Sequence, residues 1–443
     1  MYQPIILGSI LFVTLYILKR MRSPKLNMPP LVRYKYPIIG HTYDFLTNGE
    51  EFFKQCRKEY GDIFSLYVWG EVRTFIGKEH FQEVLSRDDS FVFGKQVDLD
   101  SIFKHNIKFT NRPKVLKDYV LNKLKLYTER MQESLNIATQ KYIGDCDEPN
   151  VIHNIYPMIT NIISNPLANI FIGEEESQYE EVIVTFSELT IDTTKLLRIP
   201  PILNFIYPGL QAFINNSILS LGIYNPAINH QKVLIKHLKN QFCKRLQEKV
   251  KYGDSWKRPD DFIQNIMEEE SFDPNNINYE EIADKLCLLI VVLVHTTANS
   301  YSFIKESFRL SEHVATLPHV TSKDYTFSNE LQVPKDHSIY LYVDDIYLDE
   351  SLQGPNPQSF EPFRHLNTNA SASKVSKNYV VFGGGKHACP GRQLAVNEIK
   401  FFLHNIILKY NLRTESGKIE GPKMIGTIKL PSNAGIIFEK RNN

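Results

Sequence analysis

A chain of 443 residues with 42% apolar and 23% charged residues has the make-up of a folded globular protein and enough length for one large core. Its net charge of +1 at pH 7, with no basic run interleaved with aromatics, excludes a global pull toward nucleic acid. Cys56, Cys146, Cys243, Cys287 and Cys389 are odd in number and widely spaced, with no Cys-x-x-Cys pair. That excludes a disulfide framework, a zinc ribbon and a Cys-x-x-Cys-His attachment, and leaves single cysteines free to act as ligands or nucleophiles.

In chain order, Pro4–Leu18 reads PIILGSILFVTLYIL without a charge, followed by Lys19, Arg20, Arg22 and Lys25. An apolar run at the lower edge of what spans a bilayer, with positive charge after it, predicts an anchor whose C-terminal side stays in the cytoplasm. A basic start and a small-x-small cleavage site are both lacking, so residues 1–20 read as an uncleaved membrane helix. Residues 21–40 follow as a basic tether stiffened by Pro29, Pro30 and Pro37. The rest, 41–443, reads as one domain.

Within that domain, Gly61–Gly77 alternates and is rich in β-branched and aromatic residues, which predicts a hairpin or small sheet. From about Arg112 to Arg309 nearly every segment has helical periodicity. Strand-like patches return at YTFSNELQVP, SIYLYVD and GTIKLPSNAGIIFEK. The expected fold class is mainly α with small β-sheets drawn from both ends of the chain.

The segment NYVVFGGGKHACPGRQLAVNEIKFFLHNIILKYNL carries the chemistry. An apolar strand leads through Phe382, Gly383, Gly384 and Gly385 to His387, Cys389 and Gly391, and then into an amphipathic helix. Glycines let the backbone pass close to a flat ligand. A cysteine just before a helix meets free amides and the positive end of the dipole, which favours a thiolate. Such a sulfur ligates haem iron and favours O–O cleavage. Phe382 is placed to shield it and His387 to donate to a haem propionate. Gly383-x-Gly385-x-x-Ala388 also matches a dinucleotide fingerprint. Only 55 residues follow Ala388, too few for the remainder of a doubly wound sheet.

Phe382, Gly385, His387, Cys389 and Gly391 resemble the haem-binding loop of the cytochrome P450 family. Two further motifs stand in the family's order: Glu306-x-x-Arg309 in KESFRL, and Phe360-x-Pro362-x-Arg364 in FEPFRHLN. The resemblance implies that Glu306, Arg309 and Arg364 form a buried ion network behind the loop. Breaking such a network costs about 3–5 kcal/mol; a surface i,i+3 pair contributes about 0.2–0.5 kcal/mol. IADKLCLLIVVLVHTTANS is apolar all round and must be buried. It resembles the family's distal helix, with Thr296 matching the threonine that organises proton delivery. His295 stands where an acid is usual, a His-Thr-Thr version similar to fungal ent-kaurene-oxidase-like enzymes. The apolar stretch Asn204–Pro226 falls where the family caps its substrate channel and touches membrane; a core helix is the other reading.

The resemblance therefore implies a P450 fold with haem b, its iron held by the Cys389 thiolate. It implies insertion of one oxygen atom from O2 into an apolar, terpenoid- or sterol-like substrate, with electrons from NADPH–cytochrome P450 reductase. The expected place is the endoplasmic reticulum membrane, single-pass, with the catalytic domain in the cytoplasm. A catalytically silent haem-binding or haemless membrane protein and a haem-thiolate isomerase or dehydratase are the alternatives. Three departures bear on activity. Thr296 and Glu306 are ten positions apart, where the family has several dozen residues. Val292 and Leu293 are bulky for the oxygen-binding groove. The family's Trp-x-x-x-Arg haem contact is missing, with Arg112, Lys117 and Lys123 as candidate substitutes.

Overall fold

The computed structural model describes residues 26–93, 124–197, 199–221, 223–269, 272–298, 304–311, 313–365, 371–418, 420–430 and 432–441, with the side chains at 124–126, 190, 194–197, 220 and 292–298 also outside the description. The expected anchor over 1–20 lies outside those residues. Among the described residues no helix is long and apolar enough to cross a membrane.

The helices used below are α1 (Gly49–Tyr60), α2 (Phe81–Ser86), α3 (Leu124–Tyr142), α4 (Ile155–Ile172), α5 (Glu180–Leu197), α6 (Leu210–Ser220), α7 (Ile228–Tyr252), α8 (Tyr279–Ala298), α9 (Ile304–Ser311) and α10 (Arg392–Lys409). The strands are β1 (Ile63–Val68), β2 (Glu71–Ile76), β3 (Phe91–Phe93), β4 (Asn150–Ile152), β5 (Thr316–Thr321), β6 (Tyr325–Thr326), β7 (Gln332–Val333), β8 (Ser338–Leu341), β9 (Tyr410–Thr414), β10 (Lys423–Ile425), β11 (Ile428–Leu430) and β12 (Ile436–Lys440).

The expected hairpin is β1–β2, antiparallel with Ile63 opposite Ile76 and Val68 opposite Glu71. Its two-residue turn, Trp69-Gly70, has both φ values positive, the geometry that matches strand twist. A Cβ on Gly70 would sit 2.1 Å from the Asn204 carbonyl oxygen. β2 then pairs in parallel with β8, completing a five-stranded sheet in the order β1-β2-β8-β5-β3. β4, β12 and β9 form a second sheet, and β6–β7 and β10–β11 are hairpins. β4 interrupts the expected all-helical stretch, because its extended backbone finds its partner in β12, nearly three hundred residues away.

The largest core lies among α3, α4, α5, α7, α8 and α10, where Phe171, Phe186, Leu234, Phe242, Phe262, Leu286 and Phe402 are buried. α8 is buried along Ile282–Val291, Cys287 included, except at the partly exposed Lys285, as a predominantly apolar helix must be. The Asn204–Pro226 stretch joins this core only through Leu219. Ile206, Phe213, Leu221 and Ile223 are each at least 70% exposed, so the core-helix reading of that stretch is set aside.

Candidate haem-thiolate site

The loop before α10 is held by its own backbone. Gly383 N–H donates to the Val380 carbonyl (2.7 Å) and Cys389 N–H to the Phe382 carbonyl (2.7 Å). A single 3-10 turn over Gly385–His387 fits between them, and Gly391 caps α10. Arg392 Nη1 donates to the Cys389 carbonyl at 2.8 Å. Gly385 has φ +57, and a Cβ there would lie 2.0 Å from the Leu85 carbonyl oxygen; one on Gly384 would meet the Leu85 side chain at 2.8 Å. The sequence assigned these glycines to close approach of a flat ligand. In the fold they are required by the end of α2, which packs directly on the loop.

Cys389 is partly buried and its thiol is free. Burial pushes its pKa up; the amides of Gly391 and Arg392 and the Arg392 charge pull it down without overcoming burial. The helix amides therefore act in the expected direction, toward the thiolate, against the cost of burial, and a bound metal charge would act the same way. Phe382 packs edge-on against Phe308 of α9, with ring centroids 5.4 Å apart.

That contact leads to the ion network. Glu306 and Arg309 are 2% and 0% exposed, so this is no surface i,i+3 pair. Arg309 grips Glu306 through Nε (2.9 Å) and Nη2 (2.8 Å), and its Nη1 donates to the carbonyls of Pro357 (2.7 Å) and Tyr347. Arg364 Nε donates to Glu306 at 2.9 Å, and its Nη groups reach the carbonyls of Gln353, Pro355, Asn356 and Ser359. The Glu361 amide (3.1 Å) and His365 Nε2 (3.2 Å) complete the shell. Burial pushes the Glu306 carboxyl up, but the hydrogen bonds from Arg309, His365, Arg364 and Glu361 outweigh it and hold the group well below the usual carboxylate range. His365 was not singled out in the sequence; its position beside Arg364 was the available signal.

His387 Nε2 lies 3.2 Å from Asp88, which also takes Lys386 at 3.4 Å. His295 and Thr296 fall in the last turns of α8; their side chains, with those of Val292 and Leu293, lie outside the described residues, as do Arg112, Lys117 and Lys123. The chain thus brings together Phe382, Gly385, His387, Cys389, Gly391, Glu306, Arg309 and Arg364. A lone cysteine in a loop held by its own backbone, with no second sulfur or imidazole arranged as a joint ligand among the described residues, suits a cofactor that fills its own remaining coordination positions, as haem does.

The fold and this cysteine loop define the haem-thiolate class. The cytochrome P450 family model matches residues 29–304 and 301–438, and the chain belongs to that family. Relatives include cytochrome P450 monooxygenase paxP of Penicillium paxilli, 24% identical over 374 positions, with 70% of this chain and 69% of that protein covered. Cytochrome P450 monooxygenase 151 of Postia placenta is 23% identical, covering 80% and 79%. Cytochrome P450 monooxygenase 3 of Gibberella fujikuroi is 31% identical over 163 positions, about a third of each chain. Retinoic acid bound cyanobacterial CYP120A1 shares the fold, with a TM-score of 0.65, 18% identity, and 94% of this chain and 100% of that one covered. These similarities make the chain an oxidoreductase of the monooxygenase kind. The family match comes in two pieces that meet at 301–304, between α8 and α9, where Thr296 and Glu306 stand so close in sequence. The paxP alignment spans 374 positions but takes in only 70% of this chain, so several dozen positions hold residues of that protein and none here.

Proposed function

We propose that the chain is a membrane-associated haem-thiolate monooxygenase that oxidises an apolar, terpenoid- or sterol-like molecule, with Cys389 as the iron ligand. The observation that carries this is the Glu306–Arg309–Arg364 network, its Glu306–Arg309 pair buried, packed through Phe308 and Phe382 against the Cys389 loop. Haem, when bound, supplies the iron at which dioxygen is activated. Cys389 gives up its proton to become the ligand, and the Gly391 and Arg392 amides facing its sulfur spread the negative charge. Phe382 keeps water from the sulfur. Thr296, with His295 beside it in sequence, holds and passes protons on the distal side; a neutral imidazole is able to do so near pH 7.

Electrons come from NADPH–cytochrome P450 reductase, because the sequence carries no competent nucleotide-binding fingerprint of its own. The uncharged Pro4–Leu18 run and the exposed Ile206, Tyr207, Phe213, Leu221 and Ile223 support attachment to the cytoplasmic face of the endoplasmic reticulum. Exposed apolar clusters of this kind mark membrane or partner surfaces.

A second reading, a catalytically silent descendant, is favoured by the short passage from Ala298 to Ile304 and the two-piece family match. The carbon monoxide difference spectrum of the dithionite-reduced chain separates the two, with Cys389→Ala as control. A red-shifted thiolate band that the variant loses is expected. Absence of that band in the unaltered chain sinks the monooxygenase reading.

A further inference from the structure

Two histidines of α7 face acids on or just before α5, in antiparallel order. His230 Nε2 lies 3.0 Å from Asp192 Oδ2. Seven residues on, and so on the same face of the helix, His237 meets two carboxylates at once. Its Nδ1 bonds to Glu176, in the 3-10 turn Glu176–Gln178 that precedes α5, and its Nε2 lies 2.8 Å from Glu181 Oε1. His237 and Glu176 are 1% and 4% exposed.

Counting hydrogens separates the two histidines. A carboxylate only accepts, and a neutral imidazole has one N–H. One is enough for His230 and Asp192. Two carboxylates on one ring need two hydrogens, so the His237 trio holds one proton more than a neutral ring between two carboxylates, whichever atom carries it. With that proton, and with Lys236 Nζ 2.6 Å from Glu181, the charges of Glu176, Glu181, His237 and Lys236 sum to zero. Without it, a ring lone pair faces a carboxylate oxygen. Glu176 then keeps the Gln241 amide at 3.1 Å, itself backed by Arg245, which Asp261 holds. Lys244 pairs with Glu175, and the Tyr179 ring lies 5.0 Å from His237. Of the other helices packed on α7, α4 has no charged residue and α8 presents Asp284 to Gln231. Both ring nitrogens are taken by the two acids, so none of these groups replaces the missing hydrogen.

We propose that His237, Glu176 and Glu181 form a proton-held clasp between α7 and the start of α5, which takes up one proton from solvent on closing and opens as pH rises. The opening falls through and above the range, about pH 5 to 8, in which imidazoles exchange their proton. α5 and α7 flank residues 198–227, the stretch that carries the exposed Ile206, Phe213, Leu221 and Ile223. Opening the clasp therefore loosens the helix pair on which that apolar segment is mounted.

The test is amide hydrogen exchange of the full chain between about pH 6 and 9, spanning the imidazole range and beyond. Mass spectrometry reads peptides from α5 and from α10 in the wild type and in Glu181→Gln. The new amide can turn its NH2 to Nε2, so a neutral ring satisfies both neighbours, donating to Glu176 and accepting from the amide. Comparing the two chains at the same pH cancels the intrinsic exchange rate. Protection of the wild-type α5 peptide, relative to the variant, is expected to fall by up to about tenfold per pH unit, the weight of one proton. The α10 ratio should stay constant. His230→Gln, whose bond needs no additional proton, should change α5 protection by the same factor at every pH. A ratio of wild type to Glu181→Gln that does not vary with pH in α5 overturns the proposal. His237→Gln serves if circular dichroism shows that Glu181→Gln does not fold. The wild-type advantage over it should shrink at the same rate as pH rises, and a constant advantage overturns the proposal equally.

Discussion

Two buried glutamates on neighbouring helices, Glu306 on α9 and Glu398 on α10, show how partners decide what burial does to a charge. They are 2% and 0% exposed, and burial pushes both carboxyls up. Glu306 meets Arg309, Arg364, His365 and a backbone amide, and is held well below the usual range. Among the described residues neither oxygen of Glu398 finds a hydrogen-bond partner, and its pKa stays well above the usual value. Glu398 lies in the stripe Leu394, Glu398, Phe402, Ile406, whose three apolar members belong to the main core. One site is thus a charge kept as a charge, and the other an acid kept as an acid. Desolvation is common to both, so the donors make the difference.

The largest effect that tests this comparison is expected from Arg309→Met, which takes the bidentate donor from Glu306 and leaves a buried carboxylate short of partners. Loss of about 3–5 kcal/mol is expected in urea unfolding. Joint replacement, Glu306→Leu with Arg309→Met, should lose clearly less, since no orphaned charge remains. If single and joint variants lose stability equally, the network acts by shape and not by charge.

The difference between these two sites was only half legible in the sequence. Glu306, Arg309 and Arg364 stood out because Glu-x-x-Arg and Phe-x-Pro-x-Arg resemble motifs of the cytochrome P450 family, and that resemblance implied one buried cluster; the i,i+3 spacing alone fits a surface pair. The Cys389 loop was legible as well, since glycines, a cysteine and a helix start follow one another locally. Glu398 was not legible: in RQLAVNEIKFF a glutamate reads as the wet face of an amphipathic helix, and only packing by other helices buries it. The opposite ambiguity lay at Asn204–Pro226, where a channel cap and a core helix were both open. Apolar content there allowed a core helix, yet most of its large apolar side chains are exposed and only Leu219 reaches the core, because hydropathy records what residues favour and not which neighbours are available.

A smaller effect of opposite sign is expected at the second glutamate. Glu398→Met replaces an acid without partners by an apolar side chain of similar length. An unsatisfied buried polar group costs about 1–3 kcal/mol, so the variant should gain stability on that order at neutral pH, read as a raised urea midpoint with an unchanged slope. A loss of stability instead would mean that the carboxyl bonds to a group outside the described residues, and the contrast with Glu306 would fail.

The finest discrimination comes from pH, because the two groups contribute with opposite signs. Glu306 has a lowered folded pKa, so its stabilising contribution is complete above the unfolded value of about 4.3 and is lost as pH falls through the folded value. Glu398 has a raised folded pKa, so its contribution is complete below about 4.3 and is lost as pH rises toward the folded value. Each slope is limited to about 1.4 kcal/mol per pH unit, the weight of one proton. Unfolding free energies between about pH 5 and 6 should therefore fall less steeply in Glu398→Met than in the wild type. Glu306→Gln should remove the acid-side loss below about pH 4 and leave the slope between 5 and 6 untouched. If Glu398→Met keeps the wild-type slope, Glu398 is ionised in the fold, and a partner, not burial, decides its state there too.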